Sequence, residues 1–311
     1  MTRETRPAWP GGARCAVVVT VDLDAELFWL RLHPSAADRP KTLSLGTYGI
    51  LRGTPRLLNL FDELGVPATW FVPGHTAQRH AETVREIHRR GQEIGSRAMG
   101  DEILADLDNE QIGTVVERSA EILRELTGVR PRGFRPPPGR VGDGLAPILA
   151  ERGITWTSGM FGDDLPYFLE VGGRPTPVVE IPWRWEHADY PYFAYNSGVV
   201  SFPPGRSRIA SYDAVLTEWT AAFDAYHDRG LCFVLTLEPQ VIAKPGRFLL
   251  IEQLLTHICA TPNVWLASGR SVADHWLTRA MTNDPAHPEH VRATWLRADS
   301  SKEPSNTATQ P

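Results

Sequence analysis

Two acids two residues apart end an apolar run: Asp22 and Asp24 in TVDLDAELFW (20–29), with Glu26 two further on. Alternation along a strand puts Asp22 and Asp24 on one side, where their charges crowd each other. A nearby cation relieves such a pair, whether a metal ion, an arginine or a group of a substrate. Solvated loop acids are the alternative reading. Against it, the pair follows Val17, Val18, Val19 and Val21, a run with the character of a buried strand. Other short apolar runs end in polar residues too: Arg97 in EIGSRAM (93–99), Arg135 in GFRPPP (133–138) and Glu238 in LCFVLTLEP (231–239). Paired carboxylates, two cations and a further acid are the equipment of acid–base chemistry.

The elements that must position these residues follow from hydrophobic periodicity. Strands are expected at 16–24, 68–73, 93–99, 133–138, 154–160, 178–183, 231–239 and 264–268. Amphipathic helices are expected between them, at 54–65, 75–91, 108–126, 211–229 and 247–259. Seven or eight strands alternating with helices predict an α/β fold with mostly parallel strands joined by crossovers. At 311 residues one such barrel is within range. A barrel carries its chemistry at the C-terminal ends of its strands, where Asp22, Asp24, Arg97, Arg135 and Glu238 all fall. The connections 28–53 and 186–208 are the longest and are expected to shape or cover a pocket. The domain plan is an N-terminal arm (1–15), a barrel domain (16–281) and a tail without fixed structure (282–311), rich in Pro, Asn, Ser and Thr.

Composition excludes several classes. The chain is 42% hydrophobic and 22% charged with a net charge of −5, which argues against a nucleic-acid or membrane-surface partner. No run reaches the roughly 18 apolar residues of a membrane span. No apolar stretch precedes Ala16, so a cytoplasmic location is expected. Cys15, Cys232 and Cys259 lack metal-ligand spacing and read as free thiols, buried where apolar runs hold them. The aromatics Trp29, Trp183, Trp185, Tyr190, Tyr192 and Phe193 either pack the core or line a pocket for a flat or apolar ligand.

The motifs TVDLDAE (20–26), VPATWFVPGHTAQRH (66–80), GQEIGSRAMGDE (91–102), GFRPPPG (133–139), GMFGDDLPYF (159–168), VVEIPWRWEHADYPYF (178–193) and LTLEPQVIAKPGR (235–247) resemble one family. It is the polysaccharide deacetylase (NodB-homology) family, in the branch with peptidoglycan-deacetylase-like proteins, cyclic imidases and allantoinase-type enzymes. The resemblance runs from about Ala16 to Leu277. It implies a distorted (β/α) barrel of seven or eight mostly parallel strands and hydrolysis of amides or cyclic imides. It also implies a general base at Asp22, a metal-binding acid at Asp24 and an arginine that orients the base at Arg135. Asp163 and Asp164 fit a family position near the substrate, or are turn acids before Pro166. Trp183 and Tyr192 are expected to contact substrate.

The departures from that family pattern carry as much information. Where the family has two metal-binding histidines, this chain has Arg97 and Asp101; where it has a late acid histidine, this chain has Glu238. His75, His80 and His187 match none of those places. A divalent ion such as zinc is the family's default cofactor, but a guanidinium in its shell repels it, so no cofactor is expected and Arg97 is read as the countercharge. Glu238 keeps two readings: a general acid raised in pKa by burial, or a partner of Arg97 or Arg135 in a buried ion pair. Glu26 has no matching role and reads as structural. The expected activity is hydrolysis of a carbon–nitrogen bond in a small amide or cyclic imide, without a tightly bound metal. The alternatives are a repurposed enzyme of proton transfer, dehydration or cyclisation, or a non-catalytic ligand-binding relative. A small-molecule substrate and a homo-oligomer are the expected partners.

Overall fold

The structure is a computed structural model. It describes residues 8–32, 37–100, 102–142, 144–194 and 209–300, with side chains except those of Leu32 and residues 296–300. The strands are β1 (Cys15–Asp22), β2 (Thr69–Val72), β3 (Glu93–Ser96), β4 (Gly133–Phe134), β5 (Trp156–Thr157), β6 (Tyr167–Val171), β7 (Arg174–Glu180), β8 (Cys232–Leu237) and β9 (Val264–Leu266). One curled sheet runs β6-β7-β5-β4-β3-β2-β1-β8, and every pairing is parallel except the β6–β7 hairpin. β9 pairs with Cys15–Val17, on the edge of β1 that β2 takes over from Thr20. This is the expected mixed α/β barrel, drawn open between its edge strands β6 and β8. The gap narrows at the mouth, where Ala188 pairs in parallel with Thr236 of β8.

Alternation along β1 explains why the site lies inside. Val17, Val19 and Val21 pack outward on the helix layer with Leu57, Phe61 and Leu254, while Ala16 and Val18 face the interior with Phe71, Trp156 and Val234. Both faces are therefore dry, as befits a strand flanked by parallel neighbours. The same period carries Thr20 and Asp22 along the interior face, so its lining turns from apolar to polar toward the mouth. β8 repeats the pattern, with Cys232 and Val234 below, Thr236 above and Glu238 just beyond the strand.

Two expectations need correction, and a third falls partly outside the described residues. Residues 28–53 are not an open loop: they hold helices Glu26–Leu32 and Pro40–Tyr48 and a single π turn, Gly49–Gly53. The connection at 186–208 is described to residue 194; 195–208 lie outside the described residues. The segment from 282 is not structureless, because the helix Pro288–Ser300 follows and its start docks on β6. Asn283 Oδ1 accepts the Phe168 N–H at 3.1 Å and Glu289 Oε1 accepts the Glu170 N–H at 3.1 Å, which covers the open edge of the sheet. Residues 301–311 lie outside the described residues. In the N-terminal arm Trp9 is buried against Trp265 and Trp276. Cys15 and Cys232 are buried free thiols and Cys259 is exposed.

Candidate active site

A cavity of about 250 Å³ opens at the C-terminal ends of the strands, lined by Asp22, Asp24, Arg31, Arg97, Arg135, Asp189 and Glu238 among its polar residues. Asp22 ends β1, and Asp24 stands two residues on, just before Ala25, which takes a left-handed φ of 52°. Arg97 follows β3 and is itself followed by a left-handed alanine, Ala98, at φ 50°. Left-handed backbone is unfavourable for alanine, and here it turns the chain sharply after each charged residue.

Arg97 spans both acids. Its Nε donates to Asp24 Oδ1 at 2.7 Å, one terminal nitrogen reaches Asp24 Oδ2 at 3.3 Å, and the other lies 3.2 Å from Asp22 Oδ2. Arg135 holds the other Asp22 oxygen at 2.9 Å, also donates to Thr20 and Ser158, and lies over the Phe71 ring at 4.4 Å. Arg31, from the first helix, adds a 3.3 Å bond to Asp24 Oδ2 and another to the Gly100 carbonyl. Burial alone would raise the Asp24 carboxyl, but the charges of Arg97 and Arg31 outweigh it and hold Asp24 below the usual carboxylate range. Burial likewise works against the Arg97 cation, and Asp22 and Asp24 reverse this and push its pKa up. Buried Arg135 is shifted down, by desolvation first, with the like charge of Arg97 adding to it.

Among the described residues no guanidinium forms an ion pair with Glu238. Its Oε2 accepts from Gln240 at 3.1 Å, and Gln240 Oε1 in turn accepts the Trp29 indole N–H at 2.9 Å. Burial, then the charges of Asp189, Asp24 and Asp22, push the Glu238 carboxyl well above its ordinary value. Asp189 is fully buried, and one of its oxygens accepts the Glu238 backbone N–H at 2.9 Å. Desolvation raises Asp189 as well, and Asp22 adds to the shift.

The metal expected from the family does not fit this arrangement. A guanidinium, which has no lone pair to give, is bonded to both candidate carboxylates. Among the described residues no group of three His, Cys, Asp or Glu side chains is placed to hold a metal ion. Asp101 lies outside the described residues.

The other expectations divide. Trp183 lines the cavity together with Phe28, Phe161, Trp185, Tyr190 and Pro136–138. Tyr192 does not: its hydroxyl donates to Glu218 at 2.6 Å and its ring packs edge-on to Trp219, because it lies on the helix side of the 190–193 turn. Asp163 and Asp164 are structural as well. Asp163 accepts the Leu165 N–H at 3.1 Å in a local turn and pairs with His287 at 2.7 Å, while Asp164 binds Arg184 and Tyr226. Glu26 is structural as expected, held by His80 at 2.8 Å and by Thr47. Asp189, Arg31 and Gln240 escaped the sequence reading. Asp189 sits in the quoted EHADYPYF, but only the pairing of Ala188 with Thr236 brings it to the mouth. Among the described residues no helix is long and apolar enough to cross a membrane.

Comparison with known proteins agrees with the barrel. The family profile described as polysaccharide deacetylase matches residues 47–157. The peptidoglycan deacetylase of Helicobacter pylori is 28% identical over 287 residues, covering 85% of this chain and 96% of that protein. A Mycobacterium smegmatis crystal structure assigned to the polysaccharide deacetylases superposes with a TM-score of 0.83 at 35% identity, over 90% of this chain and 96% of that one. The Puue allantoinase structure shares the fold, with a TM-score of 0.76 at 24% identity over 91% of this chain and 96% of that one. The chain belongs to the polysaccharide deacetylase family, whose members are hydrolases of carbon–nitrogen bonds other than peptide bonds.

Proposed function

We propose that this chain hydrolyses the carbon–nitrogen bond of a small amide or cyclic imide without a resident metal. The observation that carries the reading is the Arg97 guanidinium spanning Asp22 and Asp24, where a divalent ion would otherwise sit. In the proposed step, Asp22 takes a proton from water as the water oxygen bonds to the carbonyl carbon. Among the described residues the three Arg97 contacts leave two of its five N–H groups for the oxyanion that forms. The carbon–nitrogen bond then breaks as neutral Glu238 gives its proton to the nitrogen, and the proton on Asp22 passes through solvent to restore Glu238. The products are a carboxylic acid and an amine, or from a cyclic imide a single ring-opened half-amide. The cavity volume and its walls of Phe28, Tyr190, Trp183 and Trp185 suit one flat ring rather than a glycan chain.

The test is a screen of succinimide, hydantoin, allantoin and acetylated glucosamine oligomers with enzyme dialysed against a chelator. Turnover of a small amide or imide is expected, with no gain on adding zinc, and loss of at least about a thousandfold in Asp22→Asn, as befits a general base. One tightly held zinc per chain that activity requires, or turnover of acetylated glycans alone, overturns the reading.

A further inference from the structure

Trp29 and Gln240 lie outside the reacting groups, yet they are joined to Glu238 in a chain whose polarity can be worked out. An indole N–H is a donor only, so the Gln240 atom 2.9 Å from it is the amide oxygen. The Gln240 nitrogen must then face Glu238, and an amide nitrogen only donates. Glu238 Oε2, 3.1 Å away, is therefore an acceptor and cannot carry a proton toward Gln240. In neutral Glu238 the carbonyl oxygen is the better acceptor, so this bond favours Oε2 as the carbonyl oxygen and the proton on Oε1, in a side chain that lines the cavity.

The chain is also held firmly. Trp29 and Gln240 are both buried. A Cβ on Gly49 would lie 2.9 Å from Gln240 Cβ, and one on Gly53 would lie 2.3 Å from the Pro239 carbonyl oxygen. The π turn thus seats the Glu238–Pro239–Gln240 segment by direct backbone contact. The groups facing Glu238 are Asp22 and Asp24 from the end of β1, Arg97 from the end of β3 and Asp189 from the connection after β7. None of these tells one Glu238 oxygen from the other by a side-chain hydrogen bond among the described residues. The Gln240 amide does.

We propose that Trp29 and Gln240 are positioning residues that direct the proton of Glu238 to the oxygen left for the leaving nitrogen. This rests on the reading of Glu238 as the acid, and the experiment separates the two. In infrared difference spectra of the full chain, neutral Glu238 gives a carboxylic C=O band at neutral pH, identified by its loss in Glu238→Gln. Because Oε2 is the carbonyl oxygen and accepts a bond, Gln240→Leu is expected to move that band to higher frequency. Trp29→Phe, which frees the amide to turn over, is expected to move or split it.

With succinimide or hydantoin as substrate, each variant is expected to lower kcat roughly tenfold with little change in KM, the size of one hydrogen bond. Gln240→Leu also removes a bond to the ionised carboxylate, so the basic limb of the pH profile is expected to move upward. If wild type shows no carboxylic band at neutral pH, Glu238 is ionised and the acid reading itself fails. If the band is present but unmoved in Gln240→Leu and Trp29→Phe, the positioning role fails and the acid reading stands.

Discussion

Arg97 is the residue on which the site turns. Its guanidinium is buried with two carboxylates, and such a cluster is held by mutual compensation. Arg97→Ala leaves Asp24 with the partly exposed Arg31 and Asp22 with Arg135 alone. A loss of about 3–5 kcal/mol in unfolding free energy is expected from breaking a buried pair in this way. Arg97→Lys is expected to recover only part of it, since a point charge cannot reproduce the planar fork that reaches both acids. Urea denaturation at pH 7 checks both, and a loss below about 1 kcal/mol for Arg97→Ala would assign the acids to solvent instead. Asp22, Asp24, Arg97, Arg135 and Glu238 were legible because each ends an apolar run, and strand ends share one face of a parallel barrel. For Asp163 and Asp164, open between substrate contact and turn acid, and for Tyr192, the letters do not fix a direction, because that depends on partners such as His287, Arg184 and Glu218, which no local pattern announces.

Elements position the site by close backbone approach. The helix Pro40–Tyr48 lies so near the Asp24–Glu26 turn that a Cβ on Gly46 would fall 2.5 Å from the Glu26 nitrogen and 2.7 Å from the Ala25 carbonyl carbon. Those are backbone atoms, so no rotamer change relieves the clash. Gly46→Ala is expected to destabilise by about 1–3 kcal/mol, the usual range for overpacking, and to reduce activity by displacing Asp24. Thermal unfolding and turnover measured side by side check it; a variant with native stability would place the helix farther from the turn. The β6–β7 hairpin shows what periodicity missed. Its signal was present as Gly172–Gly173 between YFLEV and RPTPVVE, and both glycines take the positive φ that a two-residue hairpin turn demands, 56° and 75°. The strand was passed over because GDDLPYF reads as a loop until β7 pairs with it.

Across the whole molecule, titration of buried acids sets how stability follows pH. Glu180, at the end of β7, accepts the Gly159 and Met160 N–H groups at 2.7 and 2.8 Å through one oxygen, while the other has no hydrogen-bond partner among the described residues. Burial pushes its carboxyl from 4.5 up to about 8. The folded state therefore keeps a proton that the unfolded chain releases. The stability from this group is fully present below about pH 4.5 and is lost as pH rises through about 8. Glutamine keeps the acceptor oxygen and cannot ionise. Glu180→Gln is thus expected to leave Tm almost unchanged near pH 4.5 and to raise it clearly at pH 8. A gain of equal size at both pH values would show that packing, not ionisation, separates the two side chains.

The sequence by itself determined the succession of elements apart from the β6–β7 hairpin: valine-rich runs long enough to be buried on both faces, helices between them, and charged residues at the run ends. Those follow from periodicity and from the handedness of parallel crossovers, which need no knowledge of distant contacts. The placing of Arg97 and Glu238 at the ends of their apolar runs was also visible in the letters alone. Tertiary structure decided what those letters do together. Only the folded chain brings Asp189 beside Glu238 through the Ala188–Thr236 pairing, and sets Trp29 against Gln240 across 211 positions of sequence. Hydrogen-bond direction belongs to pairs of atoms, and pairs so far apart in the chain meet only when the barrel closes.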